Sequence, residues 1–291
     1  MSVSWSGHTL FHKYLMVVFN IEWSLSCFLG MYQCLRAGWH LRCGARGVMS
    51  VGLFHTAASD HSTSRGHRIC NYFWPAMDDM GRVMAQPKGV ISVLHGHGTY
   101  LCFQYLKLDS VGRLPVYEGF AVCGIDSQGA GRSEGLRAYT ASFKDLVDDV
   151  ITHNEMVVSC GLPGFKPQAP RFVMGCSMGG CLALMATLEK AGLFAGCILL
   201  APMLSLEKLR QRGVNRVLAP VGALVSAMLP TLPVAATTRN TLTGNTRARN
   251  AMEFLRVTSS LMQPGGMEAV TVPLLIFHGC KDTMCDIDGS K

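Results

Sequence analysis

The run RFVMGCSMGGCLALMA, residues 171–186, constrains the fold of this chain more than any other part of its sequence. A β-type apolar stretch leads into a serine, Ser177, and an alanine- and leucine-rich helical stretch follows it. The pattern predicts a strand, a sharp turn and a helix, because Gly175 and Gly179 permit a turn that larger side chains would crowd. Such a turn lifts the serine hydroxyl out of the sheet and aims the amino end of the helix at the group it attacks.

Short apolar stretches elsewhere alternate with helical ones in the same way. The predicted strands are residues 68–74, 89–94, 120–125, 171–174, 196–201 and 272–277, and the predicted helices are 142–158 and 178–190. Alternation of this kind indicates an α/β fold with a mostly parallel, doubly wound sheet. The polar motifs HGHG, DSQGAGRS and HGCKD each follow a predicted strand. We therefore expect the functional groups at the carboxyl edge of the sheet.

Residues 203–268 interrupt this alternation. They are too long for one crossover and carry helix patterns, so we predict a helical cap inserted into the sheet domain. A continuous uncharged stretch, 217–236, is a poor membrane span because three prolines interrupt it. We expect an apolar helix of about three turns near residues 221–229 that covers an apolar pocket. The predicted division is an N-terminal extension, 1–65, the sheet domain in two parts, 66–202 and 269–291, and the cap between them.

Positive charge is concentrated in the cap. The chain has a formal net charge of +7, and residues 204–261 contain eight lysines and arginines against two acidic residues. A local positive field suits an anionic membrane surface. Nucleic acid is not an expected partner, because this segment has a single aromatic residue, Phe254, and no nucleic-acid-binding motif.

The amino-terminal region leaves two interpretations open. Residues 14–35 are apolar and about long enough to cross a membrane, but they include Asn20, Glu22 and Gln33. The segment is either a signal anchor or a buried or poorly ordered extension. The twelve cysteines form no C-x-x-C pair, which favours reduced thiols in a reducing compartment. We therefore expect a cytoplasmic chain that associates peripherally with membranes, or one anchored at its amino end.

The serine at the predicted turn needs two further components to act as a nucleophile. A hydroxyl is a weak nucleophile at neutral pH and requires a base and hydrogen-bond donors for the oxyanion that forms. Ser177 is the candidate nucleophile, and the backbone N–H groups of Met178 and His97 are the candidate oxyanion donors. His95 and His97 could instead form a metal pair, but no third ligand is evident, and we expect a structural role for His95. The sequence predicts no cofactor and no metal.

The residues after the last predicted strand supply an acid. Asp282 follows the strand end closely and is the preferred triad acid, with Asp286 as its rival. All ten histidines of the chain precede Asp282, which lies nine residues before the last residue given. His278 could act as a substitute base, although its order in the chain differs from the usual triad.

Five motifs together resemble a known family. VLHGHG, GIDSQGAGRSEG, GCSMGG, GCILLAPML and IFHGCKDTMCD are similar to the monoglyceride lipase and lysophospholipase branch of the α/β-hydrolases, often grouped with serine aminopeptidase-like hydrolases. The resemblance covers about residues 66–286. It implies hydrolysis of one acyl ester through an acyl-enzyme, with Ser177 as nucleophile, Asp282 as acid and His97 and Met178 as oxyanion donors. It also implies an acyl-lipid substrate and a cap that meets the membrane.

The chain departs from this family's pattern in three places. Cys176 stands where the family usually has histidine, and Thr99 and Tyr100 stand where it has an acidic residue and a histidine. No histidine follows the acid, and the last strand and helix of the family's sheet are not found in the 291 residues. Two hypotheses follow: a lipid-ester hydrolase truncated at its carboxyl end, or an inactive relative or gene fragment that binds acyl lipid or a partner. We favour truncation, because loss of a strand would leave an open, apolar sheet edge.

Overall fold

A mostly parallel sheet forms the centre of the molecule. The computed structural model describes residues 14–19, 57–102, 118–159, 165–212, 214–235 and 245–291. The described strands are β1 (Tyr14–Phe19), β2 (Ala57–Ser62), β3 (Arg68–Trp74), β4 (Gly89–Leu94), β5 (Phe120–Ile125), β6 (Arg171–Cys176), β7 (Gly196–Leu200), β8 (Pro233–Ala235), β9 (Thr246–Arg247) and β10 (Leu274–Gly279). Eight of them form one sheet in the order β1-β10-β7-β6-β4-β5-β3-β2. Only β2 and β3 run antiparallel to their neighbours; the other pairs in this sheet are parallel.

The central strands and helices agree with the sequence patterns. β3, β4 and β5 have the predicted bounds, and every residue of β4 is buried. Continuous apolar strands of this kind are typical of a parallel sheet covered on both faces. The covering helices include α1 (Phe143–Ser159) and α2 (Met178–Glu189), and nine of the twelve residues of α2 are buried. The predicted α/β fold class is therefore confirmed.

The two edges of the sheet were not predicted. β2 has the sequence AASDHS, which lacks the apolar alternation by which a strand is detected. At the other edge, β1 pairs in parallel with β10 from Tyr14 beside Leu274 to Phe19 beside Gly279. The expectation that the edge beside β10 is left open by a missing last strand is therefore wrong. A sheet edge offers unpaired backbone groups, and the β-prone sequence YLMVVF satisfies them.

The interpretation of residues 14–35 as a signal anchor concerns mostly residues outside the described part. Within it, residues 14–19 form strand β1 rather than part of a helix, and residues 20–35 lie outside. In the described ranges, we find no helix with the length and apolar character needed to cross a membrane.

The described part of the region predicted as a cap contains three helices and a short ribbon. The helices are α3 (Glu207–Gln211), α4 (Val214–Met228) and α5 (Ala248–Leu261), and β8 pairs antiparallel with β9. α4 begins seven residues before the predicted helix and continues through Pro220, which the sequence interpretation treated as an interruption. A proline removes one backbone hydrogen bond, and a helix of fifteen residues keeps enough of the others to continue.

Candidate active site

Ser177 lies in the strained turn that the sequence predicts. It separates β6 from α2 and has φ 54° and ψ −117°, a backbone conformation that non-glycine residues rarely adopt. Surrounding backbone hydrogen bonds hold the turn: the Ser177 N–H donates to the Leu200 carbonyl at 3.0 Å, and the N–H groups of Gly180 and Met203 donate to the Ser177 carbonyl at 3.0 Å. The hydroxyl is thereby held at the carboxyl end of β6, at the edge where parallel α/β sheets carry their chemistry.

The glycines on either side of Ser177 are required by close packing. A Cβ atom on Gly179 would lie 2.6 Å from the His95 carbonyl oxygen and nearer still to that of Leu94. A Cβ atom on Gly175 would collide with the carbonyl of Gly179. The turn is therefore pressed directly against the backbone of the loop after β4, which brings Ser177 and that loop together.

Two backbone N–H groups at this contact are unpaired. Met178 is the first residue of α2, and His97 lies in the loop after β4; both line the same cleft. Neither N–H group donates a hydrogen bond to another described residue. Unpaired backbone donors near a helix start are the groups that stabilise an oxyanion. The structure thus brings both predicted donors to one cleft next to the serine turn.

His95 holds the loop and does not take part in a metal pair. Its Nε2 accepts a hydrogen bond from the Ser127 N–H at 2.9 Å, and its Nδ1 lies 2.8 Å from the Gly96 carbonyl oxygen. The proton must therefore be on Nδ1, and burial lowers the pKa of this imidazole, which keeps it neutral. The His97 ring contacts a different element, with Nε2 3.0 Å from the Thr246 hydroxyl. The structural role predicted for His95 is confirmed.

Asp126 fixes the other wall of the cleft. Its buried carboxylate accepts hydrogen bonds from the Tyr72 hydroxyl at 2.8 Å and from the N–H groups of Leu101 at 2.9 Å and Arg132 at 2.8 Å. These donors lie on β3, on the loop after β4 and on the loop after β5. One carboxylate therefore ties both cleft loops to the sheet.

Asp282 is a well-supported carboxylate near the serine. Its Oδ1 accepts hydrogen bonds from the N–H groups of Met284 at 2.8 Å and Cys285 at 3.1 Å, and its Oδ2 lies 3.3 Å from Nε2 of His278. Burial alone would raise the pKa of Asp282, but the hydrogen bonds from His278 and the two N–H groups outweigh it and lower the pKa below its ordinary value. The side chain is therefore ionised at neutral pH, as a triad acid must be.

Asp286, the rival acid, is hydrogen-bonded to the start of the region predicted as the cap. Its Oδ2 accepts hydrogen bonds from the Ser205 hydroxyl at 3.1 Å and from the Lys208 N–H at 2.8 Å, and its own N–H donates to the Ser205 carbonyl. Lys208 lies in the first turn of α3. Asp286 therefore fastens the start of the cap to the end of the sheet domain. This geometry favours Asp282 as the acid, although the assignment stays a prediction.

His278 cannot serve as the substitute base. Its Nδ1 lies 2.7 Å from the Ser290 hydroxyl, and its Nε2 faces two acceptors, the Cys285 carbonyl at 3.2 Å and the Asp282 carboxylate. Two acceptors require the proton on Nε2, so Nδ1 accepts from Ser290 and no lone pair remains for a proton from Ser177. The ring supports Asp282 from the side instead.

Cys285 is the described side chain that contacts the candidate nucleophile. Its Sγ lies 3.7 Å from the Ser177 Oγ. Burial, followed by the charge of Asp282, raises the pKa of this thiol to about 12, so it remains protonated at neutral pH. The thiol therefore cannot take the serine proton. The sequence analysis did not predict this contact. Its one signal is that Cys285 lies three residues after the candidate acid Asp282, in the same loop.

Metal ligands form no cluster in the described part of the chain. No three histidine, cysteine, aspartate or glutamate side chains lie there as a metal ion would require.

The strained serine turn between a strand and a helix and the mostly parallel sheet define the class of this protein as an α/β-hydrolase. A family profile described as "Serine aminopeptidase, S33" matches residues 85–291, and the chain belongs to this family. It is 26% identical over 239 residues to a monoglyceride lipase of Rattus norvegicus, covering 76% of this chain and 72% of that protein. It is 25% identical over 252 residues to a monoacylglycerol lipase of Mycolicibacterium smegmatis, covering 80% and 82%.

A solved structure with the same fold is a soluble variant of monoglyceride lipase from Saccharomyces cerevisiae in complex with a substrate analog. Its TM-score is 0.63 at 19% identity, over 85% of this chain and 83% of that one. The family and these relatives make the chain a lipase- or esterase-like hydrolase.

Proposed function

We propose that this chain is a serine hydrolase of acyl-lipid esters, similar to monoacylglycerol lipases, that acts through an acyl-enzyme on Ser177. The observation that carries the proposal is the pair of unpaired N–H groups, on His97 and Met178, that border one cleft beside the serine turn. The names of the relatives supply the substrate class: two curated proteins that cover most of this chain are a monoglyceride lipase and a monoacylglycerol lipase.

The chemistry follows from the positions of these groups. Ser177 attacks the ester carbonyl, its proton leaves to a base, and the carbonyl oxygen becomes an oxyanion that accepts hydrogen bonds from Met178 and His97. Collapse of this intermediate releases the alcohol and leaves the acyl group on Ser177, and water then releases the fatty acid. Asp282 would orient the base and stabilise its charged form.

The base is the component that the described residues do not supply. No histidine follows Asp282, His278 has both nitrogens engaged, and the Cys285 thiol is protonated. This observation favours a second candidate function, an inactive relative that binds acyl lipid. Under either function, we expect little or no turnover from this chain alone.

We also propose that the cap associates peripherally with a membrane surface through α4. Val221, Leu224 and Met228 share one face of this helix, and 48%, 62% and 71% of their surfaces are exposed. On the opposite side, Ser226 is buried, with no hydrogen-bond partner for its hydroxyl among the described residues. A helix that turns its apolar face outward and a serine inward is suited to a lipid partner rather than to water.

The expected positive field of the cap is a weaker reason for membrane binding than this apolar face. Three of its cations are paired: Lys208 with Asp288, Arg210 with Glu207 and Arg256 with Glu253. Paired surface charges attract anionic lipid less than isolated ones do. Arg216 and Arg239, which also entered the charge count, have no described side chains.

Chemical rescue of the missing base tests the proposed reaction. We expect free imidazole to support hydrolysis of p-nitrophenyl butyrate by the 291-residue chain, with a rate that saturates as imidazole binds next to Ser177. Imidazole also hydrolyses such esters in solution, so Ser177→Ala is measured under identical conditions as the control. We expect Ser177→Ala to reduce the rate to that of imidazole alone.

Two outcomes decide between the candidate functions. A protein-dependent rate that requires both imidazole and Ser177 supports the hydrolase. A rate that is equal for the parent chain and Ser177→Ala at every imidazole concentration contradicts it and favours the lipid-binding relative.

A further inference from the structure

We propose that the side chain of His97 is a positioning residue that ties the oxyanion loop to the cap, so that the oxyanion hole is formed only while the cap is seated on the sheet domain. This inference rests on the proposed function, because it assigns the His97 N–H to the oxyanion. It concerns a different group, the imidazole, whose side-chain hydrogen bond and ring contact are both with the region predicted as the cap.

The loop needs such an anchor because glycines flank His97. Gly98 has φ +79°, which a residue with a side chain would adopt only under strain, and Gly96 precedes His97. Glycines leave the backbone free to rotate, so the direction of the His97 N–H is not set by local conformation. On the amino-terminal side, His95 holds the loop to the Ser127 N–H. On the carboxyl-terminal side, the Leu101 N–H holds the loop to Asp126, and between these two points the imidazole of His97 supplies a further contact.

The His97 ring is bound by two residues of the cap region. Its Nε2 lies 3.0 Å from the hydroxyl of Thr246 in β9, and its ring meets that of Phe254 in α5 edge to face, with centroids 5.0 Å apart. Phe254 in turn meets Phe143, the first residue of α1, edge to face at 6.1 Å. Burial lowers the pKa of His97 to about 4, so the ring is neutral and the contacts hold at physiological pH.

The cap residues that hold His97 are themselves fixed to the sheet domain. Asn250 accepts a hydrogen bond from the Thr140 N–H at 2.8 Å, and Glu253 accepts one from the Phe143 N–H at 2.8 Å. α5 is therefore fixed to the sheet domain, and it supports the loop that carries His97. A shift of α5 would carry Thr246 and Phe254 with it and would turn the His97 N–H away from the cleft.

The first test replaces the hydroxyl of Thr246 with a methyl group, which leaves the volume of the side chain nearly the same. In Thr246→Val, we expect the kcat of imidazole-supported ester hydrolysis to fall about tenfold with KM unchanged, since a donor used mainly in the transition state is displaced. Thr258→Val is the matched control. Thr258 is buried, as Thr246 is, but it lies on α5 and its hydroxyl donates to the Phe254 carbonyl within that helix. We expect Thr258→Val to keep the parent kcat.

Substitutions of His97 itself separate positioning from packing. His97→Gln retains a polar group that can reach the Thr246 hydroxyl, and we expect it to keep most of the parent kcat. His97→Leu fills the space beside Phe254 without a hydrogen bond, and we expect it to lose about as much as Thr246→Val. Equal rates for the two His97 variants, or a parent-like kcat in Thr246→Val, overturn the proposal.

A second readout does not depend on turnover. We expect the imidazole ¹⁵N resonances of His97 in the parent chain to report one fixed tautomer, and those in Thr246→Val to shift toward values averaged over both tautomers. Unchanged resonances in Thr246→Val overturn the tie to the cap. If Ser177→Ala hydrolyses ester as fast as the parent, the proposed function has failed, and the resonances alone then decide whether the tie exists.

Discussion

At the scale of single residues, the site is governed by what surrounds Ser177 rather than by the serine alone. Its strained backbone is tolerated because Gly175 and Gly179 let the turn press against the loop after β4. The sequence pattern predicted this turn, because glycine is the residue type that close backbone approach demands. It did not predict the contact with Cys285, because that contact depends on how the loop after β10 folds back, and no local pattern encodes it.

His153 makes the stability of the chain sensitive to acid. The ring is fully buried in α1, its Nδ1 lies 2.7 Å from the Asn71 side-chain oxygen, and Nε2 has no partner among the described residues. Burial lowers its pKa to about 3, whereas the unfolded chain binds a proton near pH 6.5. The free energy of unfolding therefore decreases as the pH falls from the pKa of the unfolded chain, 6.5, toward the pKa of the folded chain, about 3.

We expect this residue to remove about 1.4 kcal/mol of unfolding free energy between pH 8 and pH 5.5. Urea unfolding of the parent chain and of His153→Gln at both pH values measures it, because glutamine can keep the hydrogen bond to Asn71 but does not titrate. The loss should be smaller in the variant by about that amount. An identical pH dependence in both proteins would show that His153 is not buried in its neutral form.

At the scale of secondary-structure elements, prediction succeeded where burial is complete. β3, β4 and β5 were predicted to the residue because strands covered on both faces are continuously apolar. β2 is a polar edge strand, and β1 pairs with a partner 260 residues away in sequence (Tyr14 beside Leu274), so local patterns do not reveal either pairing. Likewise, periodicity shows that α4 has an apolar face but not which way it points; Val221, Leu224 and Met228 on that face are exposed, and the pocket-covering role stays a prediction.

α5 stabilises α1 through a hydrogen bond between elements. Glu253 accepts the N–H of Phe143, the first residue of α1, and also pairs with Arg256 at 2.8 Å. Burial would raise the pKa of Glu253, but the hydrogen bonds from Arg256 and the Phe143 N–H lower it below its ordinary value. Glu253→Ala leaves a buried N–H without a partner, so we expect it to lower the unfolding free energy by about 1–2 kcal/mol.

Denaturant unfolding measures this loss, and Glu253→Gln is the matched control. Glutamine keeps the acceptor oxygen for Phe143 and removes only the charge, so we expect it to lose less than half as much as Glu253→Ala. A loss of equal size in both variants would mean that the ion pair with Arg256 within α5, rather than the hydrogen bond to α1, accounts for the contribution of Glu253.

At the scale of the whole molecule, the exposed face of α4 should decide membrane association. We expect Leu224→Ser combined with Met228→Ser to weaken binding to phosphatidylcholine–phosphatidylserine vesicles at least tenfold, since each side chain buried in lipid contributes about 1.5–3 kcal/mol. Vesicle co-sedimentation measures the binding. Because three of the cap's cations are paired with acidic side chains and α4 contributes apolar contacts, we expect only part of the vesicle binding to be lost at high salt.

The control removes similar apolar surface from another face of the molecule. Met80 and Val83 are 77% and 48% exposed. Val83 forms an isolated bridge with Met77, and neither Met80 nor Val83 lies in the cap. Met80→Ser with Val83→Ser should bind vesicles like the parent chain. Equal weakening by both double variants would assign the binding to general surface hydrophobicity instead of to α4.

The central claim is that Ser177 is a nucleophile whose base is not among the described residues, and labelling with a fluorophosphonate probe tests it most directly. We predict slow labelling of the chain, acceleration by added imidazole, and a single modified peptide in which mass spectrometry locates the probe on Ser177. Rapid labelling without imidazole would contradict the missing base. Labelling that persists in Ser177→Ala, or that maps to another residue such as Cys285, would contradict the assignment of the nucleophile.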